Sequence, residues 1–110
     1  MDFLSERNIY HGDLAARNVL LTDQLVAKVS DFGLSRRLYH DMSQFSIYDG
    51  EAVTLRLPMK WLALETLKHG QVVPVKSDVW SFGVLMWELF QMGSEPYRPG
   101  KYFYNLIYAI

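Results

Sequence analysis

Apolar positions fall in short clusters over the first third of the chain and in one long run near its end. Met1 to Arg7 predicts the last turns of a helix, with Phe3 and Leu4 as its apolar positions. Asn8 is suited to end it in a left-handed conformation. Ile9-Tyr10 predicts a short strand. Val19-Leu20-Leu21 and Leu25 to Val29 predict two more, joined through a turn at Thr22-Asp23-Gln24 into a small hairpin. Leu34 to Leu57 is polar and poorly periodic, and a structureless stretch of such length inside a compact domain is usually functional or mobile. Lys68-His69-Gly70 predicts a solvated loop. From Ser77 to Met92 apolar residues recur nearly all round a helix, which predicts burial on most of its sides. Ser77 is placed to cap that helix and Asp78 to sit in its first turn. Gly93 to Tyr97 ends it. From about Lys101 another helix begins, with Phe103, Leu106, Ile107 and Ile110 on one face.

Composition narrows the class. Half of the 110 residues are hydrophobic and 21% are charged, a globular balance. The net charge of −1 favours neither nucleic acid nor an acidic membrane surface. There is no cysteine, hence no disulfide framework and no cysteine-rich zinc site. His11, His40 and His69 lack metal-ligand spacing. Met1-Asp2-Phe3 has neither the basic start nor the apolar core of a signal peptide, and Met1 reads as internal to a longer protein. The run from Val79 to Met92 contains Ser81, Glu88 and Gln91 and falls short of the ~20 residues that cross a bilayer.

The candidate chemistry begins at Asp13 and Asn18. They lie five positions apart, just before the β-like run 19–21. A short loop must hold this carboxylate and carboxamide towards one space. A polar turn before a strand accounts for the same two residues, since Asp and Asn side chains bond nearby backbone. The remainder of the chain decides between the two.

His11-Gly12-Asp13-Leu14-Ala15-Ala16-Arg17-Asn18 resembles the protein-kinase catalytic loop H-R-D-L-x-x-x-N, departing from it at Gly12. The Leu-Ala-Ala-Arg-Asn form is that of tyrosine kinases. Asp31-Phe32-Gly33 stands thirteen residues beyond Asn18, where kinases place D-F-G. Leu57 to Glu65 resembles Leu-Pro-x-Lys/Arg-Trp-x-Ala-Pro-Glu, the tyrosine-kinase version, with Leu64 in place of the second Pro. Ser77 to Met92 resembles the central helix of the kinase large lobe, in which the residue at Asp78 bonds the catalytic-loop backbone. Gly93 to Tyr97 matches G-x-x-P-Y. The chain is thereby identified as part of a protein tyrosine kinase domain, spanning residues 1–110. It is most like invertebrate receptors of the platelet-derived or vascular endothelial growth factor receptor type.

The resemblance implies an α+β kinase-like fold: part of the large lobe, mostly helical, with a small β-hairpin at the catalytic loop. It implies transfer of the γ-phosphoryl group of ATP to protein tyrosine. Asp13 would be the base, Asn18 and Asp31 the Mg²⁺ ligands, and Leu20 the apolar floor under adenine, although an ordinary core leucine fits as well. Arg17 would position the substrate hydroxyl, and Pro58, Lys60 and Trp61 would line the substrate tyrosine's site. Leu34 to Leu57 corresponds to the activation segment, with Tyr39 and Tyr48 as phosphorylation candidates or plain loop tyrosines. Gly12 removes an Arg that elsewhere pairs with the activation-segment phosphate; alternatively it relaxes a tight turn. Glu65 would lack the Arg that partners it in the family. The implied parent is a receptor in the plasma membrane, with this stretch in the cytoplasm and dimerisation on ligand binding. The isolated stretch would be inactive. The rival expectation is a pseudokinase or binding scaffold.

Overall fold

The computed structural model describes residues 1–37, 45–46 and 57–97. The α+β expectation holds: among the described residues, three α-helices accompany three two-stranded antiparallel sheets. Helix α1 (Asp2–Glu6) ends at Arg7, and Asn8 follows at φ 53°, the left-handed residue expected there. Strand β1 (Ile9–Tyr10) leads into the loop containing Asp13. A 3₁₀ turn (Ala16–Asn18) passes directly into β2 (Val19–Leu21).

Strand β2 pairs with β3 (Ala27–Val29) in the register Val19 to Val29 and Leu21 to Ala27. The hairpin is the one expected, but β3 begins two residues later than Leu25. Leu25 adopts φ 61°, outside the β region, and Thr22 closes the turn instead. Its Oγ1 accepts from Val26 N at 3.1 Å, while its carbonyl accepts from Leu25 N at 2.9 Å.

Strand β4 (Arg36–Arg37) pairs with β1, and β5 (Phe45–Ser46) pairs with β6 (Gln71–Val72). The segment expected to lack structure is therefore tied down at two short places. Two-residue strands are too brief to carry a sequence period. The remainder of Leu34 to Leu57, with Tyr39 and Tyr48, and the helix expected from Lys101 lie outside the described residues.

Two boundaries are corrected. Lys68 and His69 are not a loop but the last turn of α2 (Leu64–His69), whose C-terminal carbonyls their charges suit. Gly70 at φ 65° closes the helix by donating from its N–H to the Thr66 carbonyl at 2.8 Å. Helix α3 runs Pro74–Phe90, not from Ser77. Pro74 occupies the first turn, where its missing N–H costs nothing. Ser77 is thus inside the helix, yet its Oγ still accepts from Val73 N at 3.1 Å, a capping bond from an unexpected position.

The expected burial of α3 is also corrected. Its buried residues are Pro74, Ser77, Asp78, Ser81, Leu85 and Glu88, a largely polar set. Val79, Trp80, Phe82, Met86, Trp87, Leu89 and Phe90 are exposed. The polar face is turned inward because it meets backbone N–H and C=O groups that require partners. Leu14, Ala15, Leu62, Ala63, Val72 and Leu85 are among the buried apolar residues.

Candidate active site

The loop between β1 and the first 3₁₀ turn is held from three sides. Asp78 of α3 accepts from His11 N at 2.8 Å through Oδ2 and from Gly12 N at 3.1 Å through Oδ1. Burial pushes the Asp78 carboxyl above its ordinary range, and these two N–H bonds pull against that shift. The bond implied by the resemblance is therefore present, using both carboxylate oxygens.

His11 has no exposed surface and anchors the next corner. Its Nδ1 accepts from Asp13 N at 3.1 Å, and its Nε2 lies 2.9 Å from Ser30 O. An amide N–H only donates and a carbonyl only accepts, so the ring proton sits on Nε2. The ring also meets Phe32 edge-on, with centroids 4.7 Å apart. Phe32 nonetheless keeps 45% of its surface exposed.

Asn18 supplies the third anchor. Its Nδ2 donates to Asp13 O at 2.7 Å, leaving Oδ1 as the atom able to accept or coordinate. Its backbone carbonyl accepts from Ser30 N at 2.7 Å and from Ser30 Oγ at 2.9 Å. Asp31 therefore follows directly on a residue bonded to both Asn18 and His11. It adopts φ 58°, and its Oδ1 accepts from Gly33 N at 3.2 Å. A carboxamide oxygen and an exposed carboxylate are hard oxygen donors of the kind Mg²⁺ takes alongside phosphate and water.

Asp13 is fixed at both its backbone N–H and its carbonyl. Arg17, four residues on, donates from Nη2 to Asp13 Oδ1. The Arg17 guanidinium lies 4.4 Å from the centre of the Trp61 ring, a cation–π contact. Trp61 ends the 3₁₀ turn Met59–Trp61, which Pro58 precedes and to which it contributes a carbonyl bonded by Trp61 N at 2.9 Å. The structure thus brings Asp13, Arg17 and Trp61 into one contact chain.

A profile of the protein tyrosine and serine/threonine kinase family matches residues 1–105. The chain belongs to that family. It is 51% identical over 110 residues to macrophage colony-stimulating factor 1 receptor 2 of Takifugu rubripes, covering 97% of this chain and 10% of that protein. It is 51% identical over 100 residues to vascular endothelial growth factor receptor 2 of Coturnix japonica, covering 91% of this chain and 7% of the relative. The tyrosine-protein kinase receptor torso of Drosophila melanogaster is 48% identical over 97 residues, covering 88% of this chain and 10% of its own length. The chain therefore spans about a tenth or less of these relatives. The resemblance to growth-factor-receptor kinases read from the motifs is borne out.

Within this kinase segment, the other expected site residues are dispersed. Leu20 lies in β2 with 58% of its surface exposed, so it is no core leucine of this stretch. Lys60 forms an ion pair with Glu95, beyond the end of α3. Glu65 is half-buried in the first turn of α2, a favourable end for a carboxylate. Sequence reasoning passed over Ser81 and Glu88. Ser81 Oγ donates to the carbonyl of Trp61 at 2.8 Å, and Glu88 bonds both the catalytic loop and Trp61. Their signal was present: Ser77, Asp78, Ser81 and Glu88 recur at helical spacing within an otherwise apolar helix.

Proposed function

We propose that this chain carries the catalytic loop, metal-binding Asp and substrate-side turn of a protein tyrosine kinase that moves the γ-phosphoryl group of ATP to a protein tyrosine. The observation that supports it is the fixation of Asp13. Both of its backbone polar groups are bonded, and its carboxylate is oriented by Arg17. Phosphoryl transfer depends mainly on positioning and electrostatics, so a rigidly held carboxylate is the part the reaction needs.

Asp13 accepts a hydrogen bond from the incoming tyrosine hydroxyl, points the hydroxyl oxygen at the γ-phosphorus and receives its proton, as the bond from that phosphorus to the bridging oxygen breaks and ADP leaves. Arg17 holds the Asp13 carboxylate and the substrate hydroxyl in one geometry. Pro58 packs beside the substrate ring, with Lys60 and Trp61 flanking the same turn. Leu20 offers apolar surface to the adenine of ATP. Asn18 Oδ1 and Asp31 would hold Mg²⁺, which when bound neutralises charge on the phosphates. Tyr48 and Tyr39 are the phosphorylation candidates in the activation segment. The parent is a plasma-membrane receptor that dimerises on ligand binding, with this segment in the cytoplasm.

The test is Asp13→Asn in the complete kinase domain. Turnover on a tyrosine peptide is expected to fall by ~10²-fold or more, with ATP binding retained. An unchanged kcat removes Asp13 from the role of base, and transfer absent from the unmutated domain favours a binding scaffold.

A further inference from the structure

Glu88 is a carboxylate with only 6% of its surface exposed, set in the middle of an apolar helix. Its Oε2 accepts from Ala16 N at 2.8 Å and from Trp61 Nε1 at 3.0 Å. One oxygen thus joins the catalytic loop to the turn that follows the activation segment. Both donors flank the same side chain. Ala16 is the neighbour of Arg17, and Trp61 is the ring on which the Arg17 guanidinium rests. Arg17 in turn bonds Asp13.

We infer that Glu88 is a positioning residue for phosphoryl transfer, aligning Asp13 through Trp61 and Arg17. It rests on the kinase function proposed above. A flexible Arg at an exposed site samples many rotamers, and a cation–π contact restrains it only if the ring is itself restrained. The Trp61 Nε1–H bond to Glu88 supplies that restraint at one edge of the indole, and Ser81 holds the Trp61 carbonyl. The Ala16 N–H bond to the same oxygen fixes where the Arg17 side chain starts. Two coordinates of the guanidinium, its root and its platform, are therefore set by one atom of α3. Charge-assisted bonds to a carboxylate are about twice as strong as neutral ones, which makes this oxygen a firm pivot.

The test compares variants of the complete kinase domain with Arg17 present and with Arg17→Ala. Glu88→Ala is expected to lower kcat on a tyrosine peptide by about tenfold to 10²-fold, leaving the KM for ATP unchanged. Glu88→Gln restores most of the rate, because its carboxamide oxygen accepts in the same place. In the Arg17→Ala background Glu88→Ala costs no further rate. Losses that multiply across the two positions overturn the inference, as does a parallel rise in KM for ATP. Should Glu88→Ala not fold, Trp61→Phe keeps the ring and removes the Nε1–H. A loss of kcat with Arg17 present but not in its absence supports the relay, and equal losses in both overturn it. Asp13→Asn run alongside separates the causes. If that control abolishes transfer while the Glu88 and Arg17 effects multiply, only the Glu88 inference fails. If the unmutated domain transfers no phosphate, both fail.

Discussion

Gly12 shows how a single missing side chain can be a backbone requirement. It adopts φ 82°, and a Cβ there would lie 2.9 Å from Leu34 O and 2.9 Å from Tyr10 Cε1. Tyr10 is buried, and burial together with the nearby Asp78 charge pushes its phenol upward, so the ring is an uncharged filler of that space. Gly12→Ala is expected to destabilise the complete domain by about 1–3 kcal/mol in denaturant titration. Gly12→Arg should lower kcat equally with Tyr48 and with Tyr48→Phe. Coupling between positions 12 and 48 would instead support the lost phosphate clamp. Asp78 makes a pH prediction. Its carboxyl is raised in the folded state, so the fold binds an extra proton between the ordinary value of 3.8 and the raised one. Its contribution to stability is complete below the ordinary value and declines as pH rises through the folded one. Asp78→Asn should lack this decline, which chemical denaturation at a series of pH values would reveal.

At the scale of elements, α3 is a scaffold whose polar side faces inward. Asp78, Ser81 and Glu88 bond His11, Gly12, Ala16 and Trp61 across that side. Leu85 lies between them with 4% of its surface exposed. Leu85→Ala should cost about 2–5 kcal/mol, because the cavity opens beneath the catalytic loop. Gly83 is on the opposite side, and a Cβ there meets nothing within 4 Å. In residues 1–110 alone, Gly83→Ala should therefore add helix stability of about 0.5–1 kcal/mol, read as circular dichroism against temperature. A loss of stability would show that the outer side of α3 is already covered.

At the scale of the whole molecule, the outer side of α3 and the tip of the hairpin leave much apolar surface open. Phe90 is 78% exposed and Met92 94%. A hollow of about 680 Å³ runs along this side, lined among others by Trp80, Val84, Trp87 and Tyr97. Contiguous apolar surface of this kind marks a contact with further protein or a site of association. Residues 1–110 alone should self-associate in light scattering and should bind Mg-ATP weakly, without transferring phosphate. A monomer with micromolar Mg-ATP affinity would contradict both expectations.

The local order of motifs sufficed to identify the kinase segment, because catalytic-loop chemistry requires particular side chains at short fixed spacings. The motif positions of Asp13, Asn18 and Asp31 are legible for that reason, while their roles belong to the proposed function. The β2–β3 hairpin and the left-handed Asn8 are legible because turns and strand alternation are local properties. Tertiary structure alone decided the rest. The pairings of β1 with β4 and of β5 with β6 are contacts between distant two-residue segments. The stacking of Arg17 on Trp61 joins residues separated by the whole activation segment. Above all, an apolar pattern running round α3 concealed which side turns inward. Hydrophobicity alone assigns that side to apolar residues, but here the neighbouring loop presents backbone N–H groups, and a buried N–H selects an acceptor over a methyl group.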